Sequence, residues 1–488
     1  MSNIFDAFNR RFSTESEGSE IVGNGEGVAP EQNDSNVEIS PEGETLDASD
    51  TLEGQHAEAE SAEVEVDEAA HEHEAVEQTA EAVESFLVAS IEARQAGQYW
   101  SAQTAAMTER GLQAVVMATG GNGNFRVRQL SGENFSDRRD AESAMISFEN
   151  AVTDMLKNLW QKLKDMLKKI YRKVRDFFIK HFSAVGMLKK RAEAIKKKAQ
   201  NLDKAPGTKK ITCAALAQIH DDGKVPGGAF LSNAMNLYTI CLSAASGGQT
   251  SSKHSEILDT VADMIEDQDM VTKTGGLTIP AALSSGLLVG PTFFKLWLTS
   301  AIAMPNGVTA NDKHFGVDQS RESASYSDLL PGGFVILGAT STINSAMTPS
   351  DLKYFLANTR LVITQGKEKT KEYSTDKEVS PLKAGEIIQI STSVADFCEE
   401  ALQFKNAYEK YEKANDRFIA KMDKIANGRA GNDDDSNQQN ARVAIASGAS
   451  AYSKNVISWI KSINSHGVRT GRASLDFCNA SLNAPRKD

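Results

Sequence analysis

Lysine and arginine side chains that can hold phosphate oxygens are concentrated between residues 151 and 200. This stretch has 15 basic and 4 acidic residues, which gives a net charge of +11. A surface of that charge attracts polyanions whatever their sequence, because binding releases counterions. The sequence therefore predicts polyanion contacts there, and the candidates are Lys164, Lys168, Lys169, Arg172, Lys173, Arg175, Lys196, Lys197 and Lys198.

A single long helix is predicted to carry these basic residues. Leu156, Leu163, Ile170 and Phe177 follow one another at intervals of seven, which is typical of an amphipathic helix with one face packed on protein. We assign residues 134–200 to this basic amphipathic helix, with a cap at Ser136 and a first break at Gly186. Three roles remain open at this point: a bundle helix with a solvated basic face, a helix that also meets polyanion or anionic membrane, and a free membrane-surface helix.

The sequence lacks the common motifs of catalytic and metal-binding sites. The sequence contains no phosphate-binding loop, no nucleophile elbow and no zinc-binding helix motif. His71-Glu72-His73-Glu74 lacks a second cluster of metal ligands. The four cysteines form no Cys-x-x-Cys pair, which favours synthesis in a reducing compartment. We therefore expect no catalytic, cofactor-binding or metal site, and a protein that is not an enzyme.

The chain divides into an acidic part and a basic part near residue 133. Residues 1–133 contain 27 acidic and 6 basic residues, a net charge of −21, whereas the remainder contains 39 acidic and 47 basic residues, a net charge of +8. Aromatic residues are absent between Phe12 and Phe86. We therefore expect residues 13–84 to be disordered for lack of a core, although residues 57–93 could support a marginal helix. Such an arm can mask a basic body electrostatically.

The predicted fold class is mainly α with a smaller β portion. Residues 201–390 are interpreted as a mixed α+β body, with buried strands at 334–337, 361–364 and 386–390. Residues 391–488 are interpreted as a helical region, in which two long helices joined by the polar loop 427–440 form an antiparallel hairpin. The apolar stretch 279–304 contains two prolines and a lysine, so we expect a buried core segment and not a membrane span.

The junction carries a motif with a known counterpart. Ser131-Gly132-Glu133 follows a glycine-rich linker, residues 120–124, where proteases act easily. The triplet resembles the small-x-Glu motif at which prohead proteases of large tailed bacteriophages cut. The whole order, a short segment with Phe5, Phe8 and Phe12, then the Glu/Ala tract, the triplet and the basic helix, is similar to that of the internal head (inner body) proteins of jumbo phages. This resemblance covers about the first 200 residues.

The resemblance implies a virion structural protein, made in the host bacterial cytoplasm and packed inside the capsid with non-specifically bound phage DNA. Its partners would be the prohead protease, the packaged DNA and other head proteins. Processing at Ser131, Gly132, Glu133 and Asn134 would remove the acidic propeptide, residues 1–133. Two alternatives stay open: a head-packaged enzyme or effector with activity in residues 201–488, and a membrane-active amphipathic protein.

Overall fold

A computed structural model describes residues 52–118, 137–201, 209–266, 306–308, 314–318, 320–341, 347–366, 373–427 and 436–484. All of them lie in one unit, Ala48–Asp488. The predicted processing residues 131–134, the apolar stretch 279–304 and residues 13–51 of the expected disordered segment lie outside the described residues. Within the described residues, no helix is both long and apolar enough to cross a membrane.

Long helices dominate the described structure, and one small sheet accompanies them. The helices are α1 (Leu52–Gln95), α2 (Ala102–Ala118), α3 (Arg138–Gln200), α4 (Leu216–Ile219), α5 (Gly228–Ser246), α6 (Gly248–Glu266), α7 (Pro349–Asn358), α8 (Ala384–Asn427) and α9 (Ser436–Leu482). The strands are β1 (Asn306–Gly307), β2 (Glu322–Tyr326), β3 (Phe334–Ser341) and β4 (Arg360–Gln365), antiparallel in the order β1-β2-β3-β4. The predicted class, mainly α with a smaller β portion, is confirmed.

Helix α3 is the predicted basic helix, and it runs without a break from Arg138 to Gln200. The predicted cap at Ser136 is wrong. Asp137 caps the helix, because its carboxylate accepts hydrogen bonds from the backbone N–H groups of Arg139 and Asp140. The predicted break at Gly186 is wrong, since the helix continues to Gln200. The buried residues Leu188 and Ala192 extend the apolar face past this glycine, and their packing outweighs the roughly 1 kcal/mol by which glycine disfavours a helix.

The expected disorder is wrong for residues 52–84, which belong to α1. Small apolar side chains recur along this helix at spacings of three, four and seven and are buried in the main core, against α3 and its neighbours: Ala62, Val66, Ala69, Val76, Ala80, Val83, Leu87 and Ile91. Composition missed this stripe because its apolar residues are averaged with the many glutamates of the same segment. A helix needs only one narrow apolar face to dock.

The C-terminal helices form the predicted antiparallel hairpin. The side chain of Asn415 on α8 accepts a hydrogen bond from Ser453 on α9, and the backbone N–H of Leu382, just before α8, donates to Ser481 near the end of α9. The strand predicted at 386–390 is wrong, because these residues begin α8. Ile387 and Ile390 are buried together with Val394, a spacing of three and four that suits a helix and overrides the local preference of isoleucine for strands.

The small sheet lies against the helices. The strands predicted at 334–337 and 361–364 are confirmed within β3 and β4, which pair from Phe334 opposite Gln365 to Ala339 opposite Arg360. Ile336 and Leu361 belong to the main core, while Val335 and Leu337 pack with Phe315 in a second, smaller cluster. The sheet therefore joins the body through one face, as alternation of side chains along a strand requires.

Candidate polyanion-binding surface

The nine predicted polyanion contacts differ in how far they reach solvent. Lys168, Lys169, Arg172, Arg175, Lys197 and Lys198 are exposed, and Lys173 and Lys196 are half-buried. Lys164 is buried, and its ammonium group donates to Gln161 Oε1 at 2.6 Å. Its position next to Leu163 places it at the edge of the packed face, so that it is not a surface contact in this conformation.

Carboxylates of α1 occupy two of the predicted contacts on α3. Lys169 Nζ lies 2.6 Å from Glu72 Oε2, and Lys173 Nζ lies 2.8 Å from Glu65 Oε2. These hydrogen bonds, and the charges of the two lysines, lower the pKa of Glu72 and of Glu65. A third predicted contact, Arg175, lies 3.8 Å from Glu412 of α8. In this conformation the acidic helix therefore covers part of the basic helix.

Four further cations, which the sequence did not single out, face α1 from α7 and α9. They are Lys353 on α7 and Lys454, Lys461 and Arg469 on α9. On α9 they are seven and eight residues apart, a spacing that keeps side chains on one face of a helix. Gly448 lets α7 approach α9, because a Cβ at this position would lie 2.7 Å from Lys353 Cα. In the sequence, these cations could have been found only from the spacing of seven and eight residues on α9. That spacing was overlooked because the basic residues of α3 are far more concentrated.

Each of these four cations is paired with α1. Lys353 Nζ lies 3.1 Å from Glu84 and 3.4 Å from Glu81, and Lys454 Nζ lies 3.8 Å from Glu77. Lys461 pairs with Asp67 and, at 3.8 Å, with Glu63. Arg469 donates to Glu63 at 2.7 Å. Helix α1 therefore presents carboxylates to α3 on one side and to α7 and α9 on the other.

The C-terminal end of α1 is attached to α3 by a partly buried ion pair. Arg94 donates through Nε at 3.1 Å and through Nη2 at 2.8 Å to Glu149, which also accepts a hydrogen bond from Ser90 at 3.1 Å. Beyond this end of α1, the Trp100 ring meets the Phe148 ring edge-on, with centroids 4.9 Å apart. A charge-assisted, two-point contact of this kind is strong and directional. Helix α1 is thus a packed part of the fold as well as an electrostatic cover.

One buried carboxyl group of α1 titrates near neutral pH. Burial raises the pKa of Glu77 to about 7, although Lys454 acts to lower it. The neighbouring His73 is buried too, and its burial, with Lys454 nearby, lowers its pKa to about 3. The contribution of Glu77 to stability is present below its ordinary pKa of 4.5 and is lost as the pH rises towards 7. The contribution of His73 is present above its ordinary pKa of 6.5 and is lost as the pH falls towards 3.

Replacing Glu77 with glutamine is expected to stabilise the protein against unfolding more at pH 7.5 than at pH 4.5. Glutamine does not titrate, so the variant avoids the cost of ionising a buried carboxyl group. The difference in unfolding free energy between variant and natural protein should grow by on the order of 3 kcal/mol across this interval. His73 is common to both proteins and cancels in the difference. Urea unfolding at the two pH values measures it, and a difference that does not change with pH would contradict the burial of Glu77.

A family model described as phiKZ-like phage internal head proteins matches residues 55–480. The match begins inside α1 and reaches the last turns of α9, so it includes both the acidic helix and the cations that face it. No curated protein and no solved structure matches the chain. Within the part of the chain that the structure describes, no three side chains are grouped as metal ligands.

Proposed function

Because the chain belongs to the family of phiKZ-like phage internal head proteins, we propose that its basic surface binds packaged DNA after the acidic helix α1 has been displaced. Membership in this family makes the chain a structural protein located inside the phage capsid. The proposal adds three partners: the prohead protease, the packaged DNA and the other head proteins. It assigns the DNA contact to cations that α1 covers before maturation.

The pairing of α1 carboxylates with these cations is the observation that carries the proposal. Glu72 and Glu65 lie within 2.8 Å of Lys169 and Lys173, at the distance that a phosphate oxygen would take. Exposed Arg172, Lys197 and Lys198 extend the same helix and have no ion pair among the described residues. DNA can therefore gain contacts on α3 in two stages, first at the open cations and then at those that α1 releases.

Processing after Glu133 would make this displacement possible. Residues 131–134 lie between the end of α2 at Ala118 and the start of α3 at Arg138, so one cut separates α1 and α2 from the body as a distinct peptide. The cut by itself breaks no contact between α1 and α3. The Arg94–Glu149 ion pair and the buried Ala/Val stripe would hold the peptide in place until concentrated DNA competes for the lysines.

The DNA affinity of one protein before and after cutting tests this proposal. A site for a sequence-specific protease, placed across residues 129–134 of the full chain, allows the folded protein to be cut at will. The uncut protein with inactivated protease is the control. We expect the cut protein to bind duplex DNA at least tenfold more tightly in low salt. Its affinity should fall on the order of 1,000-fold between about 50 and 200 mM salt, as expected for six or more phosphate contacts. Equal affinity before and after cutting would contradict the proposal.

A further inference from the structure

We propose that Lys353, Lys454, Lys461 and Arg469 form a second phosphate-binding row, on α7 and α9, that holds one strand of a nucleic acid in place of α1. We call these four residues the α7–α9 row. The inference rests on the proposed function, and it locates part of the DNA contact away from the basic helix α3. Sequence analysis did not predict a contact there, since α9 carries few charges in its central part.

Helix α1 supplies the described counter-charges of the α7–α9 row. Among the described residues, every ion pair of these four cations is with a carboxylate of α1, namely Glu63, Asp67, Glu77, Glu81 or Glu84. The side chains of Lys461, Lys353 and Lys454 are only 4%, 11% and 15% exposed. When α1 leaves, these lysines lose all of their described counter-charges together. An anion that binds in place of α1 supplies new counter-charges to the same lysines.

Lys353 remains charged while α1 covers it. Burial alone would lower the pKa of Lys353, but Glu84 and Glu81 outweigh it and raise the pKa above its ordinary value. Removing one partner from a buried ion pair is strongly unfavourable, because a desolvated charge is left behind. Displacement of α1 is therefore favoured when a polyanion takes over the same cations.

The dimensions of the α7–α9 row suit a phosphodiester strand. Lys454 and Arg469 are 15 residues apart on α9, which corresponds to about 22 Å along the helix. One strand of B-DNA presents a phosphate about every 3.4 Å along its axis, so this length spans roughly six phosphates. Lysine supplies a compact charge on a flexible stem, which can adjust to phosphates that do not match its spacing.

The contacts that α1 makes with α7 and α9 favour a nucleic acid over a second acidic protein helix as the ligand of the α7–α9 row. Helix α1 packs its apolar stripe along α3, whereas its described polar contacts with α7 and α9 are ion pairs. A second acidic helix would need a matching apolar stripe as well as carboxylates. A phosphate strand needs the cations alone, and the α7–α9 row presents them in a line.

Matched neutralisation of α1 carboxylates in the full, uncut chain tests the inference. The row variant carries Glu63→Gln, Asp67→Asn, Glu81→Gln and Glu84→Gln, which removes partners of Lys461, Arg469 and Lys353. The control variant carries Glu58→Gln, Glu60→Gln, Glu68→Gln and Glu92→Gln, four exposed positions on the same helix without an ion pair among the described residues. Both variants change the net charge equally. An α3 variant with Glu65→Gln and Glu72→Gln frees Lys173 and Lys169.

We expect the row variant to bind a 30-base-pair duplex of mixed sequence at least tenfold more tightly than the control variant at about 100 mM salt. Adding Lys454→Gln and Lys461→Gln to the row variant should remove this gain. Equal affinities of the row and control variants, with a gain in the α3 variant, would overturn the inference and leave the proposed function standing. If the row variant prefers a peptide of residues 52–95 to DNA, the row is a protein-docking surface and the inference is wrong. If neither variant gains and the cut chain gains nothing, the proposed function itself fails.

Discussion

Replacing Ile170 with aspartate is expected to prevent stable folding of the body. Ile170 lies near the middle of α3 and is 2% exposed, within the main core. Aspartate at this position would take an unpaired charge out of water and remove a packed side chain, at a cost of several kcal/mol. That cost is a large part of the roughly 5–15 kcal/mol by which a domain is stable. We expect a lowered melting temperature, or no cooperative transition, by circular dichroism.

Ile179 provides a matched control for this substitution. It lies on the same helix but is 62% exposed, so Ile179→Asp introduces the same charge without burial. Its effect should stay within about 0.5 kcal/mol, as for most surface substitutions. Equal melting temperatures for the two variants would mean that the face of α3 bearing Ile170 is not part of the core.

Replacing Glu133 with glutamine is expected to leave the uncut chain in mature heads. In the proposed processing the protease recognises the carboxylate of the small-x-Glu motif, and glutamine keeps the size while removing the charge. Ser147-Phe148-Glu149 also fits the small-x-Glu pattern. It lies inside α3, and its Glu149 is buried in the ion pair with Arg94, so it is a poor substrate. On a gel of purified particles, the natural protein should appear only as the processed chain, and the Glu133→Gln variant only as the uncut chain.

The control for this prediction is Glu92→Gln. Glu92 ends another small-x-Glu triplet, Ser90-Ile91-Glu92, but it lies within α1. Particles with this substitution should contain the same processed chain as the natural phage. Normal processing of the Glu133→Gln chain would remove Glu133 as the cleavage residue.

Sequence periodicity was enough to predict the elements whose core face is made of large residues. Leu163, Ile170 and Phe177 marked α3, and the aliphatic runs of β3 and β4 marked two strands. It was not enough for α1, whose buried stripe is built from alanine and valine such as Ala62 and Val66. Helix α1 folds because α3 supplies the larger partner surface, and this information lies about 100 residues away in the chain.

The candidate site shows the same limit. Density of charge identified the cations of α3, yet it did not distinguish buried Lys164 from exposed Lys168. Their burial depends on which face of α3 packs against the neighbouring helices. The α7–α9 row was missed for a different reason. Lys353 and Lys461 are about 100 residues apart, and only the packing of α7 on α9 and the presence of α1 bring them into one line.

The division of charge at residue 133 now has a structural counterpart. The acidic side of the junction contributes Glu63, Glu65 and Glu72 directly to cations of the basic side. The predicted masking is therefore proposed to act through specific ion pairs, which salt weakens at the surface, and through an apolar stripe, which salt does not. This combination explains why both a cut and a competing polyanion are required in the proposed maturation.

Peptide mapping and intact-mass measurement of this chain from purified mature heads test the proposed removal of the acidic helix. We expect a chain that begins at Asn134 and whose intact mass excludes residues 52–118. A chain that begins near Met1 and still carries residues 52–118 would contradict the displacement of α1 from the basic surface.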